Sequence, residues 1–155
     1  MSSGKPIVSA SFSYETMEET LDIKPKGAQI MIGIPKETAF QENRIALTPD
    51  AVGVLVSNGH QVIIEHNAGD AAHFRDKDYS EAGARIVYDK AEVYKAPILV
   101  KSAPVVEEDL PHLQLNQVII SPIHLSVLKV ELLQKMMEKK ITAISFENLK
   151  DDSDS

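Results

Sequence analysis

The sequence predicts an α/β fold: a doubly wound, mainly parallel sheet in a single domain. Short, nearly all-apolar runs recur along the chain, as expected of strands buried on both faces. Capped or amphipathic helical stretches lie between them. That alternation requires right-handed crossovers, which set successive strands parallel. A chain of 155 residues with 43% hydrophobic and 25% charged residues is long enough and apolar enough to enclose a core.

The elements follow in order. Residues 1–28 are rich in Ser, Thr and Glu, with isolated apolar residues and no sustained period, and Pro25, Lys26 and Gly27 close the stretch. They read as an N-terminal arm, compatible with a short helix over 15–21. Ile30-Met31-Ile32-Gly33-Ile34 is the first strand. Thr48-Pro49-Asp50 opens a helix: Thr48 suits the N-cap, Pro49 the first helical position, and Asp50 complements the dipole. Val52, Leu55 and Val56 share a face of that helix, and Gly59 ends it. The second strand is Gln61-Val62-Ile63-Ile64-Glu65. A short helix over 76–82 stops at Gly83, and Arg85-Ile86-Val87-Tyr88 is the third strand. A helix over 90–95, a fourth strand over 97–101 and a fifth over 117–123 come next. Ser126 is placed to cap an amphipathic helix with the apolar face Leu128, Leu132, Leu133, Met136 and Met137, the two Met reading as core filler. Lys139 and Lys140 stand at its negative end. A sixth strand covers 142–147. The domain therefore spans 29–150, followed by an acidic, polar tail, 151–155.

Several function classes drop out. Cysteine is absent, which removes disulfides, thiolate metal sites and cysteine nucleophiles. The five histidines show no metal-ligand spacing, so no metal is assigned. A net charge of −7, with no basic stripe, argues against a nucleic-acid surface. No apolar run approaches the roughly 20 residues of a membrane helix, and the N-terminal stretch lacks the pattern of a secretory signal, so a cytoplasmic location is expected. No Gly-x-Ser-x-Gly elbow, Walker loop or Gly-x-Gly-x-x-Gly turn occurs. The loop after the first strand reads Pro35-Lys36-Glu37-Thr38, too bulky for a pyrophosphate, so no cofactor-binding residue is expected in this chain. Without those glycines Glu65, at the end of the second strand, reads as an ordinary solvated strand end.

In a doubly wound sheet, active groups gather beyond the carboxyl ends of the strands. Arg44 follows the first strand, Lys101 closes the fourth and His124 follows the fifth. Arg44 and Lys101 could together hold a small carboxylate, and His124 could move a proton near neutral pH. Spacing alone leaves plain alternatives open: a surface arginine, a solvated strand-end lysine and a structural histidine.

A resemblance narrows this. Ile32-Gly33-Ile34-Pro35-Lys36-Glu37-Thr38, followed by Glu42-Asn43-Arg44-Ile45-Ala46-Leu47-Thr48-Pro49, resembles the N-terminal signature shared by alanine dehydrogenases and the alpha subunit of proton-translocating transhydrogenase. It continues through Asn58-Gly59-His60-Gln61-Val62, Ala68-Gly69 and Glu81-Ala82-Gly83-Ala84, and covers residues 30–149. Ile123-His124-Leu125 resembles the His-Leu pair typical of the dehydrogenases and not of the transhydrogenase subunits. The resemblance implies a flavodoxin-like or Rossmann-like substrate domain. In it Arg44 binds the carboxylate of pyruvate or alanine, Lys101 contacts the substrate oxygen, and His124 is the catalytic acid and base. Around Lys101 the chain reads Lys101-Ser102-Ala103-Pro104, one residue longer than the family's commoner Lys-Glu-Pro. The implied reaction converts L-alanine, NAD and water to pyruvate, ammonium and NADH. NAD would be bound by a domain expected to be absent from this chain, which alone would be inactive. The full-length protein would be a homo-oligomer, commonly a hexamer in the family. The rival readings are a transhydrogenase alpha subunit and a non-catalytic domain that binds a small carboxylate.

Overall fold

The structure, a computed structural model, describes residues 27–124 and 128–147. Nearly all of the expected arm, the helix over 15–21, the cap assigned to Ser126 and the tail 151–155 lie outside the described residues. Among these residues six strands and four α-helices follow in order, with only a short 3-10 helix, Glu107–Asp109, between the fourth and fifth strands: β1 (Met31–Ile34), α1 (Pro49–Ser57), β2 (Gln61–Glu65), α2 (Asp76–Glu81), β3 (Arg85–Val87), α3 (Lys90–Val93), β4 (Ile98–Val100), β5 (Val118–Ile120), α4 (Val130–Glu138) and β6 (Thr142–Ile144). All strand pairs are parallel, in the order β3-β2-β1-β4-β5-β6. Of the two expected families of doubly wound sheet, this is the Rossmann order. The chain winds outward from β1 in one direction, then from β4 in the other. The reversal lies between β1 and β4, where the two following loops leave a crevice.

Alternation along β2 sorts the core onto two faces. Val62 and Ile64 pack with Val52 of α1 and Tyr79 of α2. Ile63 points the other way, into a cluster with Val93, Tyr94, Leu99, Ile119, Leu132 and Met136. On this second face α3 comes very close to β1: a Cβ on Gly33 would lie 2.7 Å from the Val93 carbonyl oxygen. Glycine is needed there for the approach, not for its dihedral freedom. After α2 the need is different, because Gly83 has φ +97°, a conformation L side chains resist. The expected start of α1 is present: Thr48 Oγ1 accepts from the Ala51 amide at 3.3 Å and Pro49 opens the helix.

Within the described residues the expected strands and helices are present; β2 has the expected bounds and several others are shorter. β4 begins after Pro97 and β5 ends before Pro122, because a proline nitrogen cannot donate to a ladder. α4 begins at Val130, with Lys129 at its N-cap, so Leu128 precedes the helix. Its expected apolar face is corrected to a narrow stripe. Leu132 and Met136, one turn apart, are buried against the sheet, whereas Leu133 and Met137, rotated about 100° further, are exposed. Only Met136 serves as core filler. Lys139 stands at the C-terminal end of α4, as expected, and its Nζ also donates to the carbonyls of Leu110 (2.8 Å) and Leu113 (2.7 Å). Among the described residues no helix is long and apolar enough to cross a membrane.

Candidate active site

Arg44, Lys101 and His124 follow β1, β4 and β5, three adjacent strands of the sheet. All three residues therefore stand at its carboxyl edge, two of them flanking the reversal between β1 and β4. How each side chain is held differs.

Arg44 is an exposed side chain engaged by its own loop. Glu42 Oε1 accepts from Arg44 Nε at 2.9 Å and Oε2 from Nη2 at 2.8 Å, while the Arg44 amide also donates to Oε1. This fork holds the Glu42 carboxyl below its ordinary pKa, chiefly through the side-chain hydrogen bond, and raises that of Arg44 for the same reason. A guanidinium has five N–H donors. The pair with Glu42 uses Nε and one hydrogen of Nη2, leaving the Nη1/Nη2 edge for a second carboxylate.

Lys101 is almost fully buried. Alternation explains it: Lys101 stands two residues beyond Leu99 and so falls on the same face, into the cluster that holds Tyr94, Val105 and Leu110. A buried ammonium requires compensating charge. Glu37 Oε2 lies 3.0 Å from its Nζ and Asp109 Oδ2 3.3 Å. Asp109 is in turn surrounded, its Oδ1 accepting from the Tyr94 hydroxyl (2.7 Å) and Lys90 Nζ (3.0 Å) and its Oδ2 from the Val106 amide (3.1 Å). Burial works to raise the Asp109 pKa. The charge of Lys101 and the donors from Tyr94, Val106 and Lys90 outweigh it, so the carboxyl stays below its usual range. The same carboxylate acts oppositely on Tyr94, whose hydroxyl is driven far above its ordinary value by burial first and by Asp109 second.

Glu37 ties the two loops at the reversal. Its Oε1 accepts from the amides of Ser102 (2.7 Å) and Ala103 (3.2 Å), and Ser102 Oγ donates to the Arg44 carbonyl at 3.0 Å. In the turn after β1, where a dinucleotide fold presents amides to a phosphate, the Lys36 amide instead donates to Glu65 Oε2 at 2.8 Å, a carboxylate of the chain itself. The residues at this edge do not fit a pyrophosphate.

His124 sits on the outer side. Its backbone is left-handed, φ +44°, an uncommon state for a residue with a side chain. Its ring Nδ1 lies 2.8 Å from Glu147 Oε1, and Glu147 Oε2 accepts from the amides of Ile123 (3.2 Å) and His124 (3.3 Å). Those two backbone hydrogen bonds are the main reason that the Glu147 carboxyl lies below its ordinary pKa.

Arg44, Lys101, Ser102 and Phe146 line one cavity of about 270 Å³, room for a small organic anion. His124 lines a separate cavity of about 370 Å³ with Val105, Glu107, Leu128 and Leu132. The structure thus brings the arginine and lysine to one cavity and places the histidine at another on the same edge of the sheet. Phe146 lines the first cavity, and the next residue, Glu147, holds His124.

Sequence reasoning missed Glu37, Ser102, Asp109 and Glu147 as partners. Glu37 and Glu147 could have been found, since each lies at or just past the end of an expected strand on the same edge. Asp109, inside the acidic run Glu107-Glu108-Asp109, carries no such signal.

Known proteins can now be set beside this geometry. The family described as "Alanine dehydrogenase/PNT, N-terminal domain" matches residues 33–155. The chain belongs to this family. Among members of the alanine dehydrogenase family, the alanine dehydrogenase of Staphylococcus saprophyticus is 37% identical over 120 residues, covering 77% of this chain and 32% of that protein. Alanine dehydrogenase 2 of Staphylococcus aureus is 36% identical over 118 residues, covering 76% and 32%. A solved L-alanine dehydrogenase superposes with a TM-score of 0.76 at 34% identity, covering 81% of this chain and 35% of that one. The transhydrogenase from Sinorhizobium meliloti, at 24% identity and a TM-score of 0.69 over 74% of this chain and 34% of that one, shares the fold. The chain spans about a third of the length of the relatives it matches.

Proposed function

We propose that this chain is the substrate-binding and proton-transferring part of an NAD-dependent alanine dehydrogenase. The observation that carries the reading is the placement of a guanidinium, an ammonium and an imidazole after three neighbouring parallel strands, the first two lining one small cavity. Membership of the family supports alanine or pyruvate as the substrate of those groups. The free edge of Arg44 takes the carboxylate of pyruvate or alanine by two parallel hydrogen bonds. Lys101, already fixed by two carboxylates, turns a remaining N–H toward the substrate's carbonyl oxygen. His124 Nε2 moves the proton during addition of water or ammonia and loss of water. The nicotinamide would be held by residues other than those of this edge. The assembled enzyme is a cytoplasmic homo-oligomer.

The test is enzymatic. The full-length protein should form NADH from alanine and NAD, read by absorbance, and the isolated 155-residue chain should not. Arg44→Ala should raise KM for pyruvate about 10- to 100-fold with a smaller change in kcat, and His124→Ala should mainly lower kcat. An unchanged rate in His124→Ala would end this reading. Absence of deamination together with hydride exchange between nucleotides would transfer the chain to the transhydrogenases. Pyruvate binding without turnover would make it a carboxylate-binding domain.

A further inference from the structure

We infer that Glu147 is a positioning residue for His124: it holds the imidazole by Nδ1 and thereby presents Nε2 as the unprotonated, reactive nitrogen. The inference rests on the dehydrogenase reading for its consequence in catalysis, but its geometric half stands by itself.

The argument begins with donors and acceptors. An ionised carboxylate can only accept. Glu147 Oε1 lies 2.8 Å from His124 Nδ1, so the hydrogen between them belongs to the ring nitrogen. A neutral imidazole carries one hydrogen, and placing it on Nδ1 leaves a lone pair on Nε2. An unconstrained histidine favours the other tautomer, so the carboxylate selects the form that can take a proton at Nε2. When Nε2 does take one, Glu147 faces the resulting imidazolium and stabilises it, which is the general role of a carboxylate behind a catalytic histidine.

The second oxygen fixes where the ring stands. Glu147 Oε2 accepts from the amides of both Ile123 and His124. One carboxylate therefore grips ring and main chain of the same residue, and those amide bonds help to hold the left-handed backbone at φ +44°. The side chain of Glu147 is steadied from its own segment, with Ser145 Oγ 3.4 Å from Oε2. The placement also has a reason in the fold. β5 and β6 pair in parallel, Ile120 opposite Ile144, so residues three or four beyond each partner reach the same level past the sheet edge. A strand-end histidine and a strand-end glutamate of adjacent strands meet there. Because Phe146 lines the Arg44–Lys101 cavity, the segment that orients the imidazole is also a wall of the carboxylate site.

The experiment combines ring-nitrogen NMR with steady-state kinetics on the full-length protein. Histidine ring ¹⁵N spectra, recorded where imidazole is neutral, should show His124 protonated at Nδ1. In Glu147→Gln, which keeps shape and can still accept from both amides, that tautomer should give way to a mixture rich in the Nε2–H form. The kcat for alanine should fall about 10- to 100-fold while KM for pyruvate stays within about twofold, and Glu147→Asp should recover part of both signals. The wild-type spectrum is decisive even if the Gln variant fails to fold: His124 protonated at Nε2 overturns the inference. So does an unaltered tautomer in Glu147→Gln, and so does a shifted tautomer with undiminished kcat. If the wild-type protein showed no alanine deamination, the functional reading would fall, and the spectra alone would still decide whether Glu147 orients the ring.

Discussion

The centre of the carboxyl edge and its outer flank solve the same problem, holding a titratable cation in place, in opposite ways. At the centre, Lys101 is 3% exposed and its carboxylates 8% (Glu37) and 1% (Asp109). On the flank, His124 is 52% exposed and Glu147 32%. Charges in the interior are strongly coupled and leave a large penalty when one partner is removed. Exposed pairs are screened and contribute little to stability. The central cluster is therefore bound up with folding as well as with any ligand. The flank pair does little for stability yet sits on a strained backbone, so its explanation has to come from what the ring does.

The sharpest way to break this contrast is Asp109→Asn. It leaves Lys101 and Lys90 facing a neutral amide in a buried setting, and should cost about 3 kcal/mol of stability in urea unfolding. Glu147→Gln should leave the unfolding midpoint unmoved. Equal effects would erase the distinction between the two regions.

Acid should expose it next. The Asp109 carboxyl lies below its usual pKa because Lys101, Tyr94, the Val106 amide and Lys90 outweigh burial. The sign follows: its contribution is complete above the unfolded-chain value of about 3.9 and is lost as pH falls through the lower folded value. Stability measured against pH should decline below about pH 4, and more shallowly in Asp109→Asn.

Tyr94→Phe is a gentler probe, removing one donor to Asp109 while the other three remain. A loss of about 1 kcal/mol is expected, the size of a single hydrogen bond. Smallest of all is Arg44→Ala, an exposed change that should alter stability by less than about 0.5 kcal/mol. Since the same substitution is expected to weaken pyruvate binding sharply, it separates the ligand's requirement from the fold's.

Much of the architecture was legible along the chain. Short apolar runs placed the strands, and Thr48-Pro49 and the glycines after α1 and α2 placed those two helices, because these signals are local. Element ends were overextended, since pairing partners and prolines, not hydrophobicity, decide where a ladder stops. The outer half of the expected α4 face was misread for a related reason: Leu133 and Met137 are apolar, but nothing among the described residues covers them. The placement of Arg44, Lys101 and His124 at one edge of the sheet was legible from strand-end position. Glu37 and Glu147 share that strand-end signal, but Glu37 lies 64 residues from Lys101 and Glu147 lies 23 from His124, and only the sheet order assigns each carboxylate to its cation.

One contact has a mechanical corollary. Ser102 grips the main chain of Arg44, and Glu37 grips that of Ser102 and Ala103, so the segments after β1 and β4 are welded into a single floor. Neither can swing aside alone to admit a guest. Any door to this chamber must hinge on some other body, and the floor itself should give nearly the same hydrogen-exchange protection whether a guest is present or not.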